Sequence, residues 1–280
     1  MKKSLVLGFF DGVHKAHRMV IQSAFECSDD VTLITFKESP AVYFGKKAEC
    51  ILSRENSVKK IEKLGVKEVV ELNFPEIASV TAEDYLKNLI GTYNPISIST
   101  GFNHTFGKDK KGNPEFLEKY QKEYDYKYIC VPPVKENGSP ISSTLIRNLL
   151  IKGEIEEANR LLESNFVLEG TVIHGAKLGR TMGFPTANIK YPEDIVKIPF
   201  GVYGVKWQEH TAIMNWGMKP TVNNTTEPVA EIHILNFDGD LYGKNISVEV
   251  LKQIRGEKKF GSLDELKAQI KEDIKQCSEL

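Results

Sequence analysis

The sequence predicts an α/β domain built on a parallel sheet, followed by an antiparallel sheet or small barrel and a closing C-terminal helix. Three observations carry this reading. In residues 1–150 short, near-continuous apolar runs alternate with helical stretches, the pattern of strands covered on both faces. After about residue 165 strand-like runs follow one another with turn signals between them. From Ser262 the helical period returns. A chain of 280 residues is longer than one core usually serves, and 41% hydrophobic residues are enough to fill two.

Taken in order, Ser4–Phe10 (SLVLGFF), Val31–Phe36 (VTLITF), Val66–Phe74 (VKEVVELNF), Ile96–Thr100 (ISIST) and Tyr128–Pro133 (YICVPP) are expected strands. SRENSVKKIEKLG and TAEDYLKNLIG are expected amphipathic helices. The second opens with Thr81 and Asp84 in a capping arrangement, and Gly65 and Gly91 are expected to end the two helices. IKGEIEEANRLLESN, residues 151–165, is an expected connecting helix. In residues 166–280 the expected strands are FVLEGTVIHG, FGVYGVKWQ, HTAIMNWG, AEIHILNF and KNISVEVLKQI. Asp238-Gly239 falls between two strand-like runs and predicts a hairpin. The last helix should start at Ser262 and set Leu263, Leu266, Ile270 and Ile274 on one face. The domain reading is therefore 1–150, a connector over 151–165, and 166–280.

The balance of 37 basic against 38 acidic residues gives a net charge of -1, which argues against nucleic acid or an anionic membrane surface as partner. Small anionic ligands need only a local site. The four cysteines are scattered without a CxxC pair and read as free thiols of a reducing compartment. No apolar run approaches ~20 residues, and charge follows the start too soon for a signal peptide, so a cytoplasmic protein is expected.

Three stretches carry chemistry. GFFDGVHKAH (Gly8–His17) turns from the first strand into a helix. His14 and His17 share a face of its first turn, where unpaired N–H groups favour phosphate. ISSTLIRNLL (Ile141–Leu150) sets Ser142, Ser143, Thr144 and Arg147 at another helix start. One serine would serve as an N-cap, while Arg147 can hold a phosphate through paired bonds. In HGAKLGRTMGFPTANIK (His174–Lys190), Gly175, Gly179 and Gly183 let main chain fold over phosphates, and Arg180 can offset their charge. The Thr186 hydroxyl and the Asn188 amide oxygen are hard donors suited to Mg²⁺. The plainer reading of that loop is a turn in which Thr and Asn bond their own backbone. Further on, alternation places Glu231, His233 and Leu235 on one strand face.

The first two stretches together resemble the HxGH and SSTxIR motifs of the nucleotidyltransferase superfamily. Over nearly its whole length the chain resembles the bacterial bifunctional riboflavin kinase/FMN adenylyltransferase (FAD synthetase) family. GFPTAN matches the kinase signature GxPTAN, EIHILNF matches ExHxxxF, and MNWGMKPTVNN (Met214–Asn224) is similar to NxGxRPTx. IRGEKKFGSLDELKAQI is similar to xRxExKFxSxxxLxxQI.

The resemblance implies a nucleotidyltransferase-like parallel-sheet domain, then an antiparallel riboflavin kinase barrel with a C-terminal helix. It implies that Gly8, His14, His17, Ser143, Thr144 and Arg147 hold ATP for adenylyl transfer. For the kinase it implies that Gly175, Gly179, Arg180, Gly183, Thr186 and Asn188 hold ATP, Thr186 and Asn188 also holding Mg²⁺. Glu231 would be the base, and Asn103, Arg255 and Phe260 would border flavin. ATP is the implied co-substrate, with riboflavin, FMN and FAD as substrates and products. Phe9, Ala16, Ser39 and Asn103 stand where the family carries asparagine, glycine, histidine and aspartate. The expected function is phosphorylation of riboflavin to FMN and adenylylation of FMN to FAD. The alternatives are a riboflavin kinase whose first domain is degenerate and regulatory, a flavin-binding regulator without catalysis, and a nucleotidyltransferase for another acceptor.

Overall fold

The structure is a computed structural model and describes residues 2–175, 179, 183–220 and 226–279. Its contacts divide the chain into two compact units, Met1–Ser143 and Thr144–Leu280.

The first unit holds five parallel strands, β1 (Ser4–Leu7), β2 (Val31–Phe36), β3 (Glu68–Leu72), β4 (Ser97–Gly101) and β5 (Lys127–Val131). They lie in the order β3-β2-β1-β4-β5. The order reverses between β1 and β4, and at such a switch point the carboxyl ends of the strands open a crevice for ligand. The helices are α1 (Lys15–Phe25), α2 (Pro40–Tyr43), α3 (Arg54–Lys63), α4 (Phe74–Ile77), α5 (Ala82–Tyr93) and α6 (Pro114–Tyr120); β6 (Lys135–Glu136) and β7 (Ser139–Pro140) make a small hairpin. Alternation splits each strand between two cores, as expected of a sheet covered on both faces. Leu5, Leu7 and Ile98 pack with Leu86, Leu89 and Leu117, while Val6 and Leu33 pack with Val20, Ile21 and Ile61.

One local signal acts as expected, Thr81 accepting from Asp84 N–H, and Ser53 caps α3 in the same way by accepting from Asn56 N–H. Gly91 does not end its helix. Helix α5 runs on to Tyr93, and Asn94 closes it in the left-handed region at φ 42°. Buried Leu86 and Leu89 hold the preceding turns, so one glycine, costing about 1 kcal/mol against alanine, does not stop them.

In the second unit the expected single connector is two pieces. Helix α7 (Ser143–Lys152) opens at the division between the units, Gly153 breaks it at φ 80°, and α8 (Ile155–Leu162) follows. Helix α8 docks on the barrel: Asn159 Nδ2 donates to Val250 O at 2.9 Å, and Phe166 N–H donates to Asn159 Oδ1 at 2.7 Å.

The strands are β8 (Phe166–Ile173), β9 (Ala187–Lys190), β10 (Gly201–Trp207), β11 (His210–Pro220), β12 (Thr226–Ile234) and β13 (Asn245–Gly256). They close a barrel in the order β10-β11-β12-β9-β8-β13. Strands β12 and β13 are not neighbours, so Asp238-Gly239 is no hairpin turn. It lies in the connection that carries the chain from β12 to β13, between β8 and β10. Ile189, Tyr203, Val205, Ala212, Met214, Trp216, Ala230 and Ile232 are all but fully buried and fill the inside.

Helix α9 (Leu263–Cys277) starts after Ser262, which accepts from Glu265 N–H. The expected face packs on the barrel, except at its first residue, and it includes a charged residue that was not foreseen. Leu263 is 67% exposed, whereas Asp273 is 1% exposed and Cys277 is buried. Contact begins one turn later, at half-buried Leu266. Cys277 and Ile274 meet Val202, Ile213 and Ile254 on the barrel. Burial, helped by the charge of Asp273, pushes the Cys277 thiol up to about 11, so it is an inert core group.

Candidate functional site

On the barrel the chemistry collects in one cross-strand row. Asn188 of β9 lies opposite Glu231 of β12, and Glu231 lies opposite Asn215 of β11. Asn215 continues to Val202 of β10, and Val202 to Arg255 of β13. Ala230 and Ile232 point inside, so Glu231 and its row face outward. Asn215 Nδ2 donates to Glu231 Oε2 at 3.3 Å. Asn188 is 7% exposed, and its Nδ2 lies 3.5 Å from Thr186 O. With the amide nitrogen turned to the backbone, Oδ1 is the atom that can face a cation; Thr186 precedes β9 by one residue.

Main chain passes very close to this amide. A Cβ on Gly175 would fall 2.6 Å from Asn188 Nδ2, and one on Gly179 would collide with Phe184 O. Gly179 O also accepts from Phe184 N–H at 2.8 Å. Gly183 turns at φ 89°. Arg180, expected at phosphate, and Thr221–Asn224 of the loop after β11 lie outside the described residues.

Arg255 and Phe260, expected at flavin, lie together: the guanidinium stands 5.6 Å from the Phe260 ring centre. Arg255 Nε donates to both Asp273 oxygens at 3.0 Å, Nη2 to Oδ2 at 2.9 Å, and Nη1 to Gly256 O at 3.1 Å. Gln269 Nε2 donates to Asp273 Oδ1 at 2.9 Å. Asp273 and Asn215 are participants that the sequence reading left out. Asn215 does sit in the NxGxRPTx-like stretch, whereas Asp273 lies in a polar helix with no motif to mark it.

In the N-terminal unit His14 caps α1: its Nδ1 accepts from His17 N–H at 3.3 Å. The two imidazoles stack with centres 3.6 Å apart, and Phe10 meets His17 edge-on. Burial, then the neighbouring His14, holds His17 well below the usual histidine range, and its Nδ1 is buried without a hydrogen-bond partner among the described residues. His17 is thus a neutral donor rather than a cation. Ser143 Oγ donates to Asp11 O at 3.0 Å, which ties the SSTLIR start to the turn after β1. On α7, Arg147 Nη2 lies 3.5 Å from Thr144 Oγ1. Gly8 follows β1 with its N–H on Ile34 O, and a Cβ there would fall 3.1 Å from the Phe10 ring. Asn103 is exposed in the turn after β4. Ser39, in the family's histidine position, caps α2 by accepting from Ala41 N–H at 3.4 Å.

His104, in the same turn as Asn103, stacks on Phe106 with ring centres 5.7 Å apart. Burial pushes it down to about 4. The unfolded chain therefore takes up this proton first. The stability contributed by His104 is constant above pH ~6.5 and falls by about 1 kcal/mol per pH unit from there toward pH ~4, and depressed His17 adds a loss of the same sign. The expected result is a loss of urea resistance between pH 6.5 and 5 in the transition followed by circular dichroism but not by tryptophan emission, since Trp207 and Trp216, the chain's two tryptophans, both lie in the barrel. His104→Phe should remove its share of that slope and leave the share of His17; an unchanged slope would assign the whole loss elsewhere.

A FAD synthetase family model matches residues 1–145, and a riboflavin kinase model matches residues 162–280. The Bacillus subtilis bifunctional riboflavin kinase/FMN adenylyltransferase is 34% identical over 97% of this chain and 90% of its own length. The Escherichia coli K12 protein of the same description is 33% identical over 96% of this chain and 90% of its own. A solved structure from Streptococcus pneumoniae, described as a macrolide-efflux protein, is 33% identical with a TM-score of 0.89, covering 100% of this chain and 95% of that one. Among the described residues no helix is long and apolar enough to cross a membrane.

Proposed function

The chain belongs to the bifunctional riboflavin kinase/FMN adenylyltransferase family, and on that premise we propose how its own residues divide the two reactions. Residues 166–280 move the γ-phosphoryl group of ATP to the terminal ribityl hydroxyl of riboflavin, giving FMN and ADP. Residues 1–150 move the adenylyl group of a second ATP to the FMN phosphate, giving FAD and pyrophosphate, and residues 151–165 join them.

The observation that carries the kinase assignment is the row Asn188–Glu231–Asn215, a single carboxylate set between two carboxamides beneath a glycine-built loop. Glu231 takes the proton of the attacking hydroxyl as oxygen bonds to the γ-phosphorus and the bond to the β-phosphate bridge breaks. Gly175 and Gly179 bring backbone close enough to bind phosphate oxygens. Among the described residues no group of three or more His, Cys, Asp or Glu side chains could hold a metal. The donors here are instead the Thr186 hydroxyl and Asn188 Oδ1. That set suits Mg²⁺, which keeps several waters and shares few protein oxygens with substrate phosphates. When bound, Mg²⁺ neutralises phosphate charge. In the adenylyl half, His14 and neutral His17 donate hydrogen bonds and Arg147 supplies positive charge. Position and electrostatics suffice there because the FMN phosphate is itself the nucleophile.

The test is a product assay. Purified protein with riboflavin, ATP and Mg²⁺ is expected to yield FMN and then FAD, and FMN with ATP should yield FAD directly. Asn188→Ala should raise the Mg²⁺ needed for FMN formation about tenfold, the weight of one lost ligand contact. FMN without FAD would remove the adenylyl assignment, and an unchanged Mg²⁺ dependence in Asn188→Ala would remove the ligand.

A further inference from the structure

His233 stands two residues beyond Glu231 on β12 and shares its outward face. Its Nδ1 lies 2.7 Å from Pro185 O. A carbonyl can only accept, so Nδ1 carries the hydrogen of this bond. The Phe184 ring meets the imidazole edge-on, with centres 5.7 Å apart. Two contacts from one side chain therefore seize Phe184 and Pro185, the residues that deliver Thr186 to the start of β9. Pro185 has no N–H of its own, so its carbonyl is the main-chain group through which this turn can be gripped.

We infer that His233 is a positioning residue for the ATP loop: its Nδ1–H latches the Pro185 carbonyl and so fixes where Thr186 and Asn188 present their oxygens. It takes no part in proton transfer, which belongs to Glu231. The inference rests on the reading of Thr186 and Asn188 as the ATP-holding pair.

The latch is atom-specific, and substitution can read it. Asparagine sets its Nδ2 about where the imidazole carries Nδ1, while glutamine sets its amide nitrogen where Nε2 stands. Mg-ADP affinity is followed in the full-length protein through the emission of Trp207 and Trp216, both in the barrel. His233→Gln and His233→Ala are expected to weaken it about fivefold to tenfold, the weight of one hydrogen bond, and to raise the KM for ATP alike. His233→Asn should stay within about twofold of wild type, as should kcat and the riboflavin KM in all three. Asparagine behaving as badly as glutamine, or a loss in kcat rather than in ATP binding, would overturn the latch. The comparison of asparagine with glutamine decides even if the alanine variant does not fold. A wild-type barrel that showed neither a Mg-ADP response nor FMN formation would instead overturn the underlying reading of the ATP loop.

Discussion

Replacing Glu231 by glutamine is expected to lower kcat for FMN formation by about 10²- to 10⁴-fold, the range for loss of a general base, while the KM for ATP moves no more than about twofold. Glutamine keeps the shape of the row, and its amide oxygen can still accept from Asn215 Nδ2, which reaches Glu231 Oε2 at 3.3 Å in the native protein. It cannot take a proton. Removing a negative charge beside phosphates does nothing to hinder ATP binding, so a fall in kcat alone isolates proton transfer from site architecture. The adenylyl reaction is an internal control: FAD formation from FMN should be untouched, because Glu231 sits in the barrel unit and His14, His17 and Ser143 in the other. Parallel losses in kcat and ATP affinity would mean that Glu231 holds the row together and some other group takes the proton.

What the sequence carried and what it could not follow from the range over which each feature is determined. Val31–Phe36 was legible to the residue because a strand covered on both faces is one unbroken apolar run. Helix starts at Thr81 and Ser262 were legible because a cap is a contact three residues long. The glycine-built loop and its PTAN were legible because main-chain approach needs glycine within a few positions. Register was not. That Asn188, Glu231 and Asn215 stand opposite one another depends on which strands pair, and the barrel order sets β12 against β9 rather than β13. The same fact undid the hairpin at Asp238-Gly239: its local signal was sound, but β13 finds its partners elsewhere. Leu263 shares the expected face of α9 but is exposed, because contact begins one turn later at Leu266, and the burial of Asp273 on that face was not legible, because it depends on what the barrel offers. At the decisive point the barrel offers Arg255, a cation, and not an apolar hollow.

Asp273→Ala is accordingly expected to be the most damaging change to the barrel unit outside its core. Asp273 is 1% exposed and the Arg255 side chain 21%. Its two oxygens accept three bonds from the guanidinium and one from Gln269. Deleting one partner of such a pair leaves the other charge half-buried without its counter-ion, which costs about 3–5 kcal/mol. Tryptophan emission isolates the effect, since both tryptophans report the barrel, and the urea midpoint by that probe should fall steeply. Added salt should restore little, because a pair this enclosed is screened weakly even with a Debye length of about 8 Å at physiological ionic strength. Asp273→Asn keeps the volume and an oxygen for Arg255, so its loss should be the smaller of the two. The competing account is that α9 is held by Ile274 and Cys277 against Val202, Ile213 and Ile254. On that account Asp273→Ala would lose under about 1 kcal/mol, while truncating Ile274 to alanine would lose about 2–5 kcal/mol at most, scaled down by its partial exposure. The order of the two variants therefore decides whether a buried charge pair or an apolar patch fixes the rotation of the last helix, and with it the placement of Arg255 at the end of the row that carries Glu231.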